Sequence, residues 1–407
     1  MAIPLPAPSE LLAAVRSTSA AVSLPLDDAA IDRFILSVPR EQWHRLSTNH
    51  GVRLPLRFDS PRDELNLLSV LALLNFLSGY RAALHRLTGR GAYSTILSLI
   101  LSAYLSDADS ASSILSTKGM KSCTVASLAS LAQISTHSES DHPTLGSAVK
   151  VGTKDDEAFE LLGLVEGVLH ETGETLDALG MADLGTWVEQ ELLRTRGEVA
   201  SMVHSLATTF PAFRDVHVVS QPVYLFKKAL WLLSVLSIRF SPRGDTCTSE
   251  SASRDGPPPP FPVPTSADLA HLPIFADNVI PSLLASRPIS IIQVPPEVTQ
   301  DGTRNVQDLD ESDATVLRAS AVEACRRIVE RAHELGSSSS SSPSSRSIEQ
   351  VAAGGGGGGQ QGVGSEEDLE WLKSWSEVEL DGYLWNLGKE PQGQDVVRFG
   401  EKRTVFY

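Results

Sequence analysis

Pro222-Val-Tyr-Leu-Phe-Lys-Lys-Ala-Leu-Trp-Leu-Leu-Ser-Val-Leu-Ser-Ile-Arg-Phe240 is the stretch whose reading decides the fold class. Pro222 suits the first position of a helix, where its missing amide would be unpaired anyway, so a helix is expected to continue through 223–240. On it Lys227 shares a face with Val223, Leu230, Trp231 and Ser234. At least one of the Lys227 and Lys228 ammonium groups must therefore emerge from an apolar surface. Such a lysine either snorkels to solvent or forms a preorganised anion site.

Working outward, helical spacing dominates. Asp155 and Asp156 open a segment with Phe159, Leu162, Val165, Leu169 and Leu176 on one face, and Gly180 closes it as a candidate C-cap. Residues 184–193 and 199–210 repeat the pattern, the latter ending at Pro211. A further helix is expected over 314–335, ending at Gly336, and a last one over 369–387. The closing Arg403-Thr-Val-Phe-Tyr407 is β-prone and reads as a short strand. Two apolar runs, 65–76 and 93–105, fall short of the ~20 residues of a bilayer span, and Arg81, His85, Arg86 and Arg90 separate them. Buried core helices account for both. The fold class is mainly α, with a minor β element at the C-terminus.

Hydrophobic residues form 42% of the 407 positions and charged residues 21%, the balance of a chain that folds. Residues 1–407 read as a single large helical domain carrying insertions. One is the Pro-rich stretch 245–264, a stiff solvated linker. Another is the Ser/Gly-rich stretch 336–365, which cannot bury enough apolar area to offset the entropy of ordering it. The segment 366–407 beyond it is too short to build a core of its own.

A net charge of −16 argues against wrapping a polyphosphate backbone, so no stable nucleic-acid partner is expected. A small anionic ligand in a local basic pocket is still compatible with it. Cys123, Cys247 and Cys325 are too few and too far apart for a disulfide framework or a metal-binding cluster, which points to a reduced, cytoplasmic setting. The start of the chain lacks the pattern of a signal or transit peptide, and no membrane association is expected.

Asp277, flanked by Ile274, Phe275, Val279 and Ile280, is either a helix N-cap or a buried carboxylate held for function, and the two readings are compatible. Asp381, Trp385 and Asn386 offer an acceptor, a stacking surface and an amide to a heterocyclic base, or else a surface carboxylate and a core tryptophan. His137, Asp141 and His142 lie in an expected polar loop. No histidine pair has metalloprotease spacing, and neither a Walker loop nor a nucleophile elbow is present. No metal and no cofactor is expected.

Several blocks in order then resemble the queuosine salvage proteins, fungal branch. These are Leu74-Asn-Phe76, Leu169-His-Glu-Thr-Gly173, Phe210-Pro-Ala-Phe-Arg-Asp-Val216 and Val223-Tyr-Leu-Phe-Lys-Lys-Ala229. They continue with Ile274-Phe-Ala-Asp277, Leu317-Arg-Ala-Ser320, Asp381-Gly-Tyr-Leu-Trp385 and Arg403-Thr-Val-Phe-Tyr407. The resemblance implies a fold similar to helix-hairpin-helix DNA glycosylases and hydrolysis of the N-glycosidic bond of queuosine 5′-phosphate, a small-molecule substrate. It puts the catalytic carboxylate on Asp277 and the characteristic lysine on Lys227 or its neighbour Lys228. Ligand contacts fall on His50, Phe275, Ala276, Asp381 and Asn386, with Trp385 beside them. The chain departs from the family at Asn75-Phe-Leu-Ser-Gly-Tyr80, where an aromatic-rich run is common, and at Asn386, where Asp is frequent. A noncatalytic queuine-binding module is the alternative, and a DNA glycosylase is disfavoured by the acidic charge.

Overall fold

Short polar side chains start most of the helices, as the sequence anticipates: Asp155 accepts from the Ala158 amide at 3.0 Å, and Asp183 from Thr186 at 2.6 Å. The structure is a computed structural model. It describes residues 3–48, 54, 56–107, 112–142, 144–240, 259–295, 306–338 and 366–407. The expected linker is thus described only from 259, where Phe261 packs on Phe240. Of the Ser/Gly-rich stretch, 339–365 lie outside the described residues, as does His50.

The first helices are α1 (Pro8–Val22), α2 (Asp28–Ser37), α3 (Arg40–Ser47), α4 (Pro61–Leu73), α5 (Arg81–Thr88), α6 (Ala92–Asp107), α7 (Thr117–Ser122) and α8 (Val125–Ala132). An antiparallel hairpin, β1 (His137–His142) and β2 (Gly146–Lys154), leads into α9 (Asp156–Ala178), α10 (Leu184–Thr195) and α11 (Val199–Thr209). A second small hairpin, β3 (Val216–Val218) and β4 (Pro222–Tyr224), precedes α12 (Lys227–Phe240) and α13 (Ser266–Leu269). Then come α14 (Val279–Ala285), β5 (Val306–Asp308), α15 (Glu311–Ser338), α16 (Glu377–Leu387), α17 (Pro391–Gln394) and β6 (Arg398–Gly400), which runs parallel to β5.

The fold is mainly α, and its centre is α4. Leu65, Leu67, Leu68, Val70 and Leu71 are all fully buried, so over 67–73 this helix is covered on every side, and α6, α10 and α12 pack on it. No single helix among the described residues is long and apolar enough to cross a membrane.

Five expectations are corrected. The segment 222–226 is not helical: Pro222 pairs with Val218 in the β3–β4 hairpin, and Phe226 takes a left-handed φ of 51° before α12 begins at Lys227. The expected helix over 369–387 is broken. A 3-10 stretch, Glu366–Ser374, gives way to α16 at a capping box in which Ser376 and Glu379 satisfy each other's backbone amides. The C-terminal strand is 398–400 rather than 403–407, because β5 offers its edge there. The polar loop with His137 and His142 is a hairpin strand, and Lys150 takes the Asp141 carboxylate across it. Gly336 lies within α15 and does not end it.

The α4–α10 crossing depends on Gly185, where a Cβ would stand 2.5 Å from the Asn66 Cα. Asn66 clamps the same point, accepting from the Gly185 amide at 3.0 Å and donating to the Leu115 carbonyl at 2.9 Å. Gly185→Ala is therefore expected to cost about 1–3 kcal/mol by overpacking. Urea unfolding checks this, and an unchanged midpoint would contradict the close crossing.

Candidate functional site

The site hangs from one buried ion pair. Arg318 on α15 grips the Asp215 carboxylate with two parallel bonds, Nη1 to Oδ1 at 3.0 Å and Nη2 to Oδ2 at 2.6 Å, and both residues are 1% exposed. Its Nε donates to the Ala276 carbonyl at 2.9 Å, and its guanidinium lies 4.4 Å from the Tyr407 ring centroid. His217 bridges Asp215 and Glu311, each at 2.9 Å. Burial, the largest single effect, opposes its charge, yet the bond to Asp215 leads the effects that raise its pKa. Burial also works against the Asp215 carboxylate, but Arg318 and His217 outweigh it and hold the group well below the usual range.

Asp215 in turn starts α12. Its Oδ2 accepts from the Lys227 amide at 3.2 Å, an anion at a helix N-terminus where the backbone dipoles favour it. The left-handed turn at Phe226 is what brings that amide round to the carboxylate.

Lys227 and Lys228 do not snorkel, being 5% and 1% exposed. Both satisfy carbonyls that the end of α4 leaves without helical partners. Lys227 Nζ donates to Asn75 at its carbonyl, 2.8 Å, and at its side-chain oxygen, 3.2 Å; Lys228 Nζ donates to the Leu73 carbonyl at 2.8 Å. Lys228 also sits over the rings of Phe76 and Phe213, and burial drives its pKa well down. Burial lowers Lys227 to about 8, and the attraction of Asp277 limits the fall.

Two carboxylates face the Lys227 side. Asp277 caps α14, its Oδ1 accepting from the Val279 amide at 2.7 Å and from Ile280 at 3.3 Å. Its other oxygen has no hydrogen-bond partner among the described residues. Asp381, on α16, accepts from the Phe275 amide at 2.8 Å through one oxygen only. Burial first, then repulsion from Asp277, push the Asp381 carboxyl well above the carboxylate range.

Between these groups lies a cavity of about 400 Å³, counting its open mouth. Lys227 and Trp231 of α12 form one wall, Asp381, Gly382 and Trp385 of α16 another, and Phe275 with Asp277 the side between them. Asn75 and Tyr93 close it from the N-terminal part of the chain. Tyr93 meets the edges of Trp231 and Trp385 at centroid distances of 6.3 and 5.4 Å. The Lys389 ammonium lies over the Trp385 ring, although the residue as a whole is exposed; burial of that end lowers its pKa to about 7 while Asp277 opposes the fall.

Of the residues named from sequence, the cavity brings together Lys227, Phe275, Asp277, Asp381 and Trp385. Ala276 and Asn386 lie just behind it. The Ala276 carbonyl is held by Arg318, and the Asn386 amide donates to the carbonyls of Leu46 and Gly382, both at 2.8 Å, tying α16 to α3. Sequence reasoning gave no role to Tyr93, Asn75, Asp215 or Arg318. The last three stand inside family-like blocks, whereas nothing local distinguishes Tyr93 from a core aromatic.

A partly open, aromatic-walled cavity with a lysine and two carboxylates is the kind of site, in a helical protein, that suits a small polar molecule. A family model described as queuosine salvage protein matches residues 151–407, more than half of the chain, so the chain belongs to that family and to queuosine salvage. No curated protein sequence matches it. The matched region supplies both carboxylates, Lys227 and both tryptophans; Asn75 and Tyr93 come from before it.

Arg318→Met strands Asp215 as an uncompensated buried charge, which is expected to cost about 3–5 kcal/mol. Adding Asp215→Asn should recover part of that loss. A urea-melt double-mutant cycle reads both values; a single-variant cost below about 1 kcal/mol would mean that the pair does not carry the site.

Proposed function

We propose that the chain hydrolyses the N-glycosidic bond of queuosine 5′-phosphate, releasing queuine for salvage into tRNA modification. The observation that carries this reading is Asp277: one carboxylate oxygen is pinned by the first amides of α14, the other is left for the cavity, and Lys227 is within electrostatic reach.

Departure of the base builds positive charge on the ribose in an oxocarbenium-like transition state. A fixed carboxylate stabilises that charge more than it stabilises the neutral substrate, which is the condition for catalysis. The C1′–N bond breaks with its electron pair going to the base nitrogen. Water then forms the new C1′–O bond, and Asp277 takes its proton, which finally resides on the released base. Lys227, within electrostatic reach of Asp277, holds the Asn75 side chain at the same wall. With its pKa raised by burial, the Asp381 carboxyl is suited to donating a hydrogen bond to the leaving base in its protonated form, while Trp385, Tyr93 and Phe275 offer the base apolar faces. The Asn75 side chain, its oxygen held by Lys227, has its NH2 free of partners among the described residues and available to a ribose hydroxyl.

Asp277→Asn keeps an acceptor for the helix cap but loses the charge. It is expected to retain the wild-type melting temperature and to lose on the order of 10³-fold in queuine release, read by mass spectrometry. Wild-type turnover in that variant would remove Asp277 from the mechanism.

Activity should also fall as pH rises through about 8, where Lys227 loses the charge that anchors Asn75 at the cavity. Stability should move the other way. Between about 8 and ~10.4 the unfolded chain binds the extra proton, so the folded state gains as pH rises. A kcat/KM profile flat from pH 7 to 10 would exclude this role for Lys227.

A further inference from the structure

Hydrogen bonds satisfy the edge of the Arg318 guanidinium but not its faces. Nε, Nη1 and Nη2 reach Ala276 and Asp215 in the plane of the group, and a planar cation has no N–H to offer above or below that plane. The Tyr407 ring covers one face, its centroid 4.4 Å from the guanidinium carbon, and Tyr407 is itself 2% exposed. Phe406 stands edge-on to His217, the third member of the network, with ring centroids 5.2 Å apart.

The segment that carries these two rings is tied down on its way in. A Cβ on Gly79, in the 3-10 turn Ser78–Tyr80, would lie 2.0 Å from the Glu401 carbonyl oxygen, just beyond β6. Lys402 reaches Glu157 of α9 at 3.1 Å, Arg403 pairs with Glu160 of the same helix, and the Arg403 amide donates to the Tyr80 hydroxyl at 3.2 Å. Arg403 takes a left-handed φ of 64°, after which Thr404 and Tyr407 are buried. The Tyr407 hydroxyl donates to Glu401 at 3.2 Å, so the pose of the ring is fixed from within its own segment.

A buried ion pair holds its geometry while water is kept from it, because each charge leans more on its partner as the surroundings become less polar. Uncovering Arg318 would admit water to the pair and give both charges another way to be solvated. The effect would pass to the cavity by two routes: Asp215 would loosen its hold on the Lys227 amide, and Arg318 its hold on the Ala276 carbonyl, next to Asp277. At a reacting centre a displacement of about 1 Å costs on the order of 10²-fold in rate.

We propose that Tyr407, aided by Phe406, is a positioning residue for the reaction: its ring seals the pair of Asp215 and Arg318 and so keeps Lys227 and Asp277 in register across the cavity. The proposal rests on the hydrolase reading above and gives residues outside the cavity lining a share in its rate.

The test removes the ring with Tyr407→Leu and keeps it with Tyr407→Phe, which gives up only the hydroxyl. Queuine release from queuosine 5′-phosphate is followed alongside hydrogen exchange, read by mass spectrometry in peptides covering 226–229 and 278–281. Tyr407→Leu should lose roughly ten- to a hundredfold in kcat with KM changed less than about threefold, and Tyr407→Phe should recover most of that loss. Exchange should quicken in both peptides of the leucine variant while α10 keeps its wild-type protection, because the loosening is local. Wild-type kcat in Tyr407→Leu, no recovery in Tyr407→Phe, unchanged exchange at 226–229, or exchange that quickens equally in α10 overturns the role and leaves the hydrolase reading intact. Should Tyr407→Leu fail to fold, Phe406→Leu decides by the same exchange: faster at 226–229 supports the role, and unchanged overturns it. If wild type releases no queuine, the hydrolase reading fails, and the exchange pattern alone decides whether Tyr407 positions these groups.

Discussion

The bidentate pair between Arg318 and Asp215 is the constraint on which the site depends. Neither residue lines the cavity, yet each fixes one of its sides. Asp215 accepts the first amide of α12 and thereby sets where Lys227 and Trp231 point. Arg318 holds the Ala276 carbonyl, which lies between Phe275 and Asp277. A buried pair of this kind is weak evidence of added stability, since desolvation offsets much of the attraction. Its worth here is geometric: two elements far apart in sequence are locked in one relative position.

Charge is distributed around that frame with a clear asymmetry. Asp277 has helix amides, Lys227 and Lys389 as neighbours, whereas Asp381 has one amide and a neighbouring carboxylate. Two carboxylates at one cavity therefore meet different surroundings, which equips them for different tasks. The paired lysines divide in the same way. Lys228, buried among phenylalanine rings, serves the end of α4, while Lys227 does that and also faces the ligand space.

Much of this was legible in the sequence. The helices α9, α10, α11 and the cap at Asp277 follow from apolar spacing and short polar starters. Lys227 and Asp277 stood out as charges in apolar surroundings, Asp381 read equally as a surface carboxylate, and the resemblance to queuosine salvage proteins joined the three into one site. What failed was set by distant partners. Pro222 has the profile of a first helical residue, but Val218 offers it a strand, and Asp215 delays the helix to Lys227. The break before α16 was readable after all, since Ser376 and Glu379 have capping-box spacing. Tyr93 carried no local signal; only the packing of α6 against the C-terminal elements gives it a place.

The central claim, that water replaces the base at the ribose carbon, is most directly tested by turnover of queuosine 5′-phosphate in ¹⁸O-labelled water. Equal amounts of free queuine and ribose 5-phosphate, with one labelled oxygen on the sugar and none on the base, is the predicted result. Tight binding of the intact nucleotide with no release of queuine would contradict it and leave a binding protein in place of an enzyme.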